Sequence, residues 1–301
     1  MIKTILQTMR PSFLVLTLAC VFLGLSTSLT TDALIDYTLF TLVFIGAMSA
    51  HISVNMLNEY HDFKSGLDFK TKKTPFSGGS GALPNNPKIA NIVLLVGLSA
   101  LFITIAIGIY FIITVGKTIL PIGLVGLVII VTYTQWLNRM PLLCLIAPGL
   151  GFGLLMVVGT HIVLTFEYSK LVWLVSLIPF FLINNLLLLN QYPDMQADAS
   201  VGRNTLPLAF GIKRSNLVYA LFMVAAYSLI LLYILVGILP AMSAIALLPM
   251  MLSIFVLFGA VKHKSNIGSF PKYLGANVAA TIITPFLLGL SLLIAYCLIV
   301  N

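Results

Sequence analysis

The chain has 301 residues, of which 60% are hydrophobic and only 8% charged, with a net charge of +8. Soluble domains carry about a quarter charged residues, so this composition excludes a soluble globular protein and assigns an integral membrane protein. The surplus of cations falls between apolar runs, which marks loop topology and excludes nucleic-acid binding as its reason.

The apolar runs are long and continuous, without the period-two alternation of a membrane β-barrel, so they read as helices. A crossing needs about 20 apolar residues. Nine candidate spans follow in order: residues 12–30, 34–57, 89–115, 118–137, 142–165, 171–193, 216–238, 240–261 and 275–300. The first run follows Lys3 and Arg10, as a secretory leader would. No clean small-x-small cleavage site follows it and at least seven spans lie downstream, so it reads as a first span with a short amphipathic lead-in. Cys20, Cys144 and Cys297 fall inside spans at no metal-ligand spacing and read as small hydrophobes.

With nine spans, successive loops alternate sides. The N-terminus and the loops after spans two, four, six and eight hold every basic residue of the 16 except Lys117 and Lys170. The positive-inside rule then places the N-terminus in the cytoplasm and the C-terminus outside, as in a bacterial inner membrane. The expected architecture is one all-α domain, residues 1–301, with about nine transmembrane helices around a central cavity. Loops 58–88 and 194–215 would form its cytoplasmic cap.

The loop after span two carries the first acidic cluster. Asn58-Glu59-Tyr60-His61-Asp62 is followed by Asp68, and if the span-two helix continues, Asn55, Asn58, Glu59 and Asp62 share one face. Gly66 can break the helix and return Asp68 towards Asp62. The loop after span six repeats the pattern: Asn190-Gln191-Tyr192-Pro193-Asp194, then Asp198, with N-x-Y-x-D common to both. Asn190, Asp194 and Asp198 recur every four residues, Pro193 should kink the helix end, and Arg203 follows Gly202 closely. Five of the eight acidic residues in the chain belong to these clusters.

Carboxylates this close repel one another unless a cation sits between them. Spans two and six run in the same direction, so both clusters reach one face. Mg²⁺ is usually held by one or two carboxylates plus substrate phosphates, which makes Glu59, Asp62, Asp68, Asp194 and Asp198 candidate metal ligands for a diphosphate site. Arg203 is a candidate phosphate partner, with a plain salt bridge to Asp198 as the bland alternative. Each cluster alone could also be a helix end capped by solvated polar groups; their shared pattern argues against that.

Between the clusters lies Lys70-x-Lys72-Lys73, then Pro75-Phe76-Ser77-Gly78-Gly79-Ser80-Gly81. The spacing is not that of a P-loop; it reads as a flexible loop or as a lid whose amides face an anion. Tyr133 and Arg139 add an aromatic and a cation on the same side. His51 and His161 lie within spans and read as hydrogen-bonded structural histidines, with binding of a polar acceptor as the alternative; Asn184 and Asn185 face the same choice.

These motifs resemble the UbiA family of intramembrane prenyltransferases, and within it the 1,4-dihydroxy-2-naphthoate (menaquinone-pathway) branch. The first motif of that branch, N-D-Y-x-D followed by Asp, is similar to Asn58–Asp62 with Asp68. Its second, D-x-x-x-D-x-x-x-G-[KR]-x-T-L, matches Asp194, Asp198, Gly202, Arg203, Thr205 and Leu206. Arg10-Pro11 resembles the family's opening R-P, and residues 149–161 resemble its glycine-rich fifth span. Glu59 departs from the usual Asp, and the segment after Asp68 does not align with the quinone enzymes.

The resemblance implies Mg²⁺-dependent transfer of a polyprenyl group from its diphosphate to an aromatic acceptor, 1,4-dihydroxy-2-naphthoate or a related quinone precursor. Asp62, Asp68, Asp194 and Asp198 would be catalytic. Asn55, Asn58, Lys72, Lys73, Tyr133, Arg139, Asn190 and Arg203 would bind substrate, with the prenyl tail among apolar spans. The same motifs would serve a non-quinone acceptor or a prenyl diphosphate cyclase. A transporter is the reading from another class, but its ionisable groups belong near the membrane midplane, and here they sit at one face.

Overall fold

A computed structural model describes residues 1–31 and 34–300, with Asp32, Ala33 and Asn301 of the expected 1–301 domain lying outside the described residues. Every regular element among them is helical. A short helix α1 (Ile2–Thr8) leads into α2 (Pro11–Leu29), and α3 (Tyr37–Lys64) packs along α5 (Ala90–Thr114), with the four-residue α4 (Ala82–Asn85) between them in sequence. Next come α6 (Leu120–Thr132), then α7 (Pro141–Pro148), a π-helical stretch Gly149–Met156, and α8 (Val157–Thr165). The order closes with α9 (Lys170–Asn190), α10 (Met195–Ala199), α11 (Leu206–Leu235), α12 (Met250–His263) and α13 (Pro271–Val300).

Eight of these helical segments are long and apolar enough to cross a membrane. The expected fourth span is the exception. Its helix is the shorter segment Lys117–Thr132, because the chain turns at Tyr133 instead of continuing to residue 137. The seventh span also differs: α11 begins ten residues before the expected start, kinked where Gly211 takes a positive φ of 80°. Lys213 and Arg214, which fell in the expected loop 194–215, sit exposed on the helix.

The centre of the bundle is formed where α2, α8, α9, α11 and α13 meet around Leu23, Ile162, Ile183, Ile230 and Leu288, all fully buried. Cys20 and Cys144 are buried as well. Several polar groups inside are paired across helices. The Asn185 side chain donates to the Tyr219 carbonyl at 2.8 Å, the Tyr219 hydroxyl to Asn277 Oδ1 at 2.8 Å, and Asn277 Nδ2 back to the Asn185 carbonyl at 3.2 Å. Such closed networks lock α9, α11 and α13 in one register. The outer faces of α5 and α6 leave Phe102, Ile113, Val128 and Val131 exposed, as suits surfaces that meet lipid and not water.

The fifth span explains itself from its glycines. Pro148 lies within the helix and removes one hydrogen bond, and the chain widens into the π-helical stretch. Gly149 and Gly153 allow the backbone of Phe180 to approach so closely that a methyl group at either would overlap it. Asn184 Oδ1 accepts the Gly149 amide at 2.6 Å. This junction fixes α9 and the widened fifth span as two walls of one cavity.

Candidate active site

α3 runs unbroken through the first acidic cluster and stops where Gly66 turns left-handed, with φ of 78°. Asn55, Asn58 and Asp62 therefore project from one face into a cavity of about 580 Å³, and the turn after Gly66 adds Asp68. Asn58 Nδ2 donates to Asp62 Oδ2 at 3.0 Å, and its Oδ1 accepts from Thr134 Oγ1 at 3.1 Å. Asn55 lines the cavity while donating to the Met9 carbonyl at 3.0 Å.

The second cluster arrives from α9. That helix ends at Asn190, and after the Pro193 turn α10 begins just beyond Asp194. The Asp198 amide donates to the Asp194 carbonyl at 2.8 Å, so the four-residue repeat survives the break. Gly202, at φ of 77°, sends the chain back, and Arg203 reaches both clusters. Its guanidinium bonds Asp198 Oδ1 at 3.1 Å and also pairs with Asp62. Asn190, Asp194, Asp198, Arg203 and Tyr133 all line the same cavity.

The glycine-rich loop covers this polar end. Ser77, Gly78 and Gly79 line the cavity, and the Gly78 amide donates to Asp194 Oδ2 at 3.1 Å. Below, the walls turn apolar through Ile107, Ile122, Phe152, Leu155 and Val163. His51 lines the wall further down α3, bonded to Thr17 at 2.7 Å and against Phe152. His161 lies in the core, bonded to Thr27 at 3.1 Å.

Four candidates stand away from the lining. Lys72 and Lys73 are exposed on the outer side of the loop, and Lys73 Nζ donates to the Ser80 carbonyl. Arg139 is exposed in a separate depression of about 360 Å³, beside His61 and Lys64, which meets the main cavity at Asp62, Asn138 and Arg203. Glu59 is fully buried and turned to Arg10 and Ser80. An α-helix advances 100° per residue, so Glu59 sits at the edge of the arc that Asn58 and Asp62 occupy. Lysine and arginine charges are dear to bury, and the loop turns them to water.

The chemistry of the lining is that of hard oxygen donors. Asp68 Oδ2, Asp194 Oδ1, Asn190 Oδ1, Gln191 Oε1 and Asn138 Oδ1 are buried acceptors with no hydrogen-bond partner. Burial pushes the carboxyl of Asp68 up to about 7, with Glu59 and Asp62 adding to it, and that of Asp194 up to about 7, with Asp198 adding. Burial also raises Asp198, against the pull of Arg203. Among the described residues no three His, Cys, Asp or Glu side chains converge to hold a metal unaided. Arg203 stands between Asp62 and Asp198, and Glu59 is engaged elsewhere. A hard cation that takes one or two carboxylates and completes its shell from phosphates fits these residues.

Arg10, Asn138, Gln191 and Thr205 line the cavity but were not singled out from the sequence as site residues. Arg10 left two signals: a cation at the head of an apolar run, and the Arg10-Pro11 pair that resembles the family's opening R-P.

Residues 13–282 match the UbiA prenyltransferase family. The 1,4-dihydroxy-2-naphthoate octaprenyltransferase of Bacillus subtilis (strain 168) is 27% identical over 199 residues, 64% of this chain and 61% of that protein. The chain thus matches about three-fifths of the length of that relative. Among solved structures, a UbiA homologue from Aeropyrum pernix K1 superposes with a TM-score of 0.67 at 17% identity, covering 94% of this chain and 97% of its own. A UbiA homologue from Archaeoglobus fulgidus bound to DMAPP and Mg²⁺ gives a TM-score of 0.66 at 14% identity, covering 96% and 99%. At these identities the two structures show a shared fold.

Proposed function

The chain belongs to the UbiA prenyltransferase family, and from that premise we propose that it transfers a polyprenyl group from its diphosphate to an aromatic acceptor. The acceptor is 1,4-dihydroxy-2-naphthoate or a related quinone precursor, as the match to the Bacillus enzyme suggests. The observation that carries the reading is the two-ended cavity: carboxylates and amides at one end, branched aliphatic walls along the rest. That is the shape of a diphosphate joined to a hydrocarbon tail.

Asp62, Asp68, Asp194 and Asp198 would supply one or two carboxylates at a time to Mg²⁺, with the diphosphate completing its shell; the Archaeoglobus homologue is bound to DMAPP and Mg²⁺. Bound there, the ion supplies charge neutralisation to the departing diphosphate. Asn58 and Arg203 orient Asp62, and Arg203 brings a fixed positive charge to the polar end. Asn55, Asn190 and Tyr133 wall the space where headgroup and acceptor meet. The apolar walls exclude water, which protects an allylic cation from hydrolysis. The allylic C–O bond breaks, a C–C bond to the electron-rich ring forms, and the ring loses a proton or CO₂. No side chain acts as nucleophile. In the same reading the site faces the cytoplasm and, with Lys117–Thr132 crossing, the C-terminus lies outside a bacterial inner membrane.

The test is turnover by purified protein with Mg²⁺, radiolabelled prenyl diphosphates of several lengths and a panel of aromatic acceptors. A lipophilic adduct with a naphthoate acceptor is expected, lost with EDTA and reduced by about a hundredfold or more in Asp194→Ala. Diphosphate release without an adduct would redirect the reading to another acceptor or a cyclase; adduct formation by Asp194→Ala at the wild-type rate would overturn the site.

A further inference from the structure

We infer that Glu59 is a positioning residue: with Arg10 and Ser80 it latches the glycine-rich loop across the polar mouth of the cavity, instead of ligating metal. The carboxylate is fully buried and fully engaged. Its Oε1 accepts from Arg10 Nε at 2.8 Å, Arg10 Nη2 at 2.6 Å and the Ser80 amide at 2.7 Å, and its Oε2 accepts from the Ser80 hydroxyl. Asp62 and Asp68 line the cavity; Glu59 does not.

Three elements meet on this one side chain: the residue that opens α2, the helix of the first acidic cluster, and the loop. Arg10 reaches it from a left-handed backbone, φ 52°, a conformation that non-glycine residues keep only where the surroundings hold it. The loop is shaped to lie flat against this anchor. Gly78 and Gly79 have φ of 78° and 71°, and a methyl group on Gly79 would stand 3.1 Å from Asp68 Oδ1 and 3.4 Å from Glu59 Oε1. One residue before, the Gly78 amide holds Asp194. The loop is therefore tied to the first cluster through Ser80 and Glu59, and to the second through Gly78. A loop tied at both ends of the mouth retains a charged headgroup and keeps water from the reaction. Its release sets donor entry and escape.

This inference rests on the prenyl diphosphate reading of the cavity, so one arm of its test needs no substrate. Lys72 and Lys73 are exposed beside the latched segment, and trypsin cleavage after them reports how firmly the loop is held. Ser80→Ala removes one donor from the latch; Glu59→Asp keeps the charge but withdraws it by a methylene. Both variants should be cleaved about tenfold faster than wild type, the loss expected for a hydrogen bond to a charged group. In turnover, the donor KM should rise about tenfold with kcat held within about twofold, and the Mg²⁺ half-saturation should not move. Wild-type cleavage and donor KM in Ser80→Ala would overturn the latch. So would a raised Mg²⁺ requirement in Glu59→Asp with the donor KM unmoved, which is the signature of a metal ligand. If wild-type protein turned over no donor, the functional reading would fail while the trypsin arm still decided the latch.

Discussion

Asp68 and Asp194 make the site sensitive to pH. Both carboxyls are pushed up to about 7 by burial, so the fold binds their protons more tightly than the unfolded chain does. Their contribution to stability is then fully present below the unfolded value near 3.8 and is lost as pH rises through 7. The metal-free protein should melt lower at about pH 8 than at about pH 5, by about 5 °C or more. Mg²⁺ needs the deprotonated form, so the ion should add more to the melting temperature at the higher pH. Thermal unfolding in detergent across that range, with and without Mg²⁺, measures both; a flat profile would remove the burial argument. Arg203 moderates the same cluster, since it holds Asp62 and Asp198 at once.

At the scale of elements, the contact between the π-helical stretch and α9 sets the cavity's width. Gly149 lies against the Phe180 carbonyl and bonds Asn184 through its amide. Gly149→Ala should push the two helices apart, costing about 1–3 kcal/mol as overpacking does. The melting temperature should fall by several degrees, and donor affinity with it, because Gly151, Phe152 and Leu155 of that stretch line the cavity. A variant as stable as wild type would show that the junction can slide. By contrast Gly126→Ala should be nearly silent, since nothing beyond its own stretch of helix backbone lies within 4 Å of the added methyl group.

For the molecule as a whole, the question is how much hydrocarbon the bundle admits. The cavity of about 580 Å³ passes between α5 and α6, where Gly108, Gly123 and Gly126 line it with small surfaces. A space lined by glycine is one that a side chain can close. Gly126→Phe should leave short donors such as a ten-carbon diphosphate within about threefold of wild type and reduce long donors by about tenfold or more. Product analysis over a ladder of chain lengths reads this directly. Equal loss at every length would place the tail elsewhere in the bundle.

The class of the protein, its helical character and both acidic clusters follow from composition and local spacing alone, because a span needs only a run of apolar residues and a helix keeps residues three and four apart on one face. The Gly66 break, the Pro193 turn and the common side for the two clusters were legible for the same reason. The pairings that assemble the site were not. Arg10 meets Glu59 across 49 positions, Gly78 meets Asp194 across 116, and Arg203 meets Asp62 across 141. Glu59 and Asp62 look alike as neighbours on one helix, yet one is buried against Arg10 and the other opens into the cavity. That difference depends on how far α3 is rotated about its axis, which its own sequence leaves free. The packing of α3 against α5, and of its C-terminal end against α1, α4 and the loop, fixes the angle. Local chemistry thus chose the residues, and the bundle decided which of them would face the substrate.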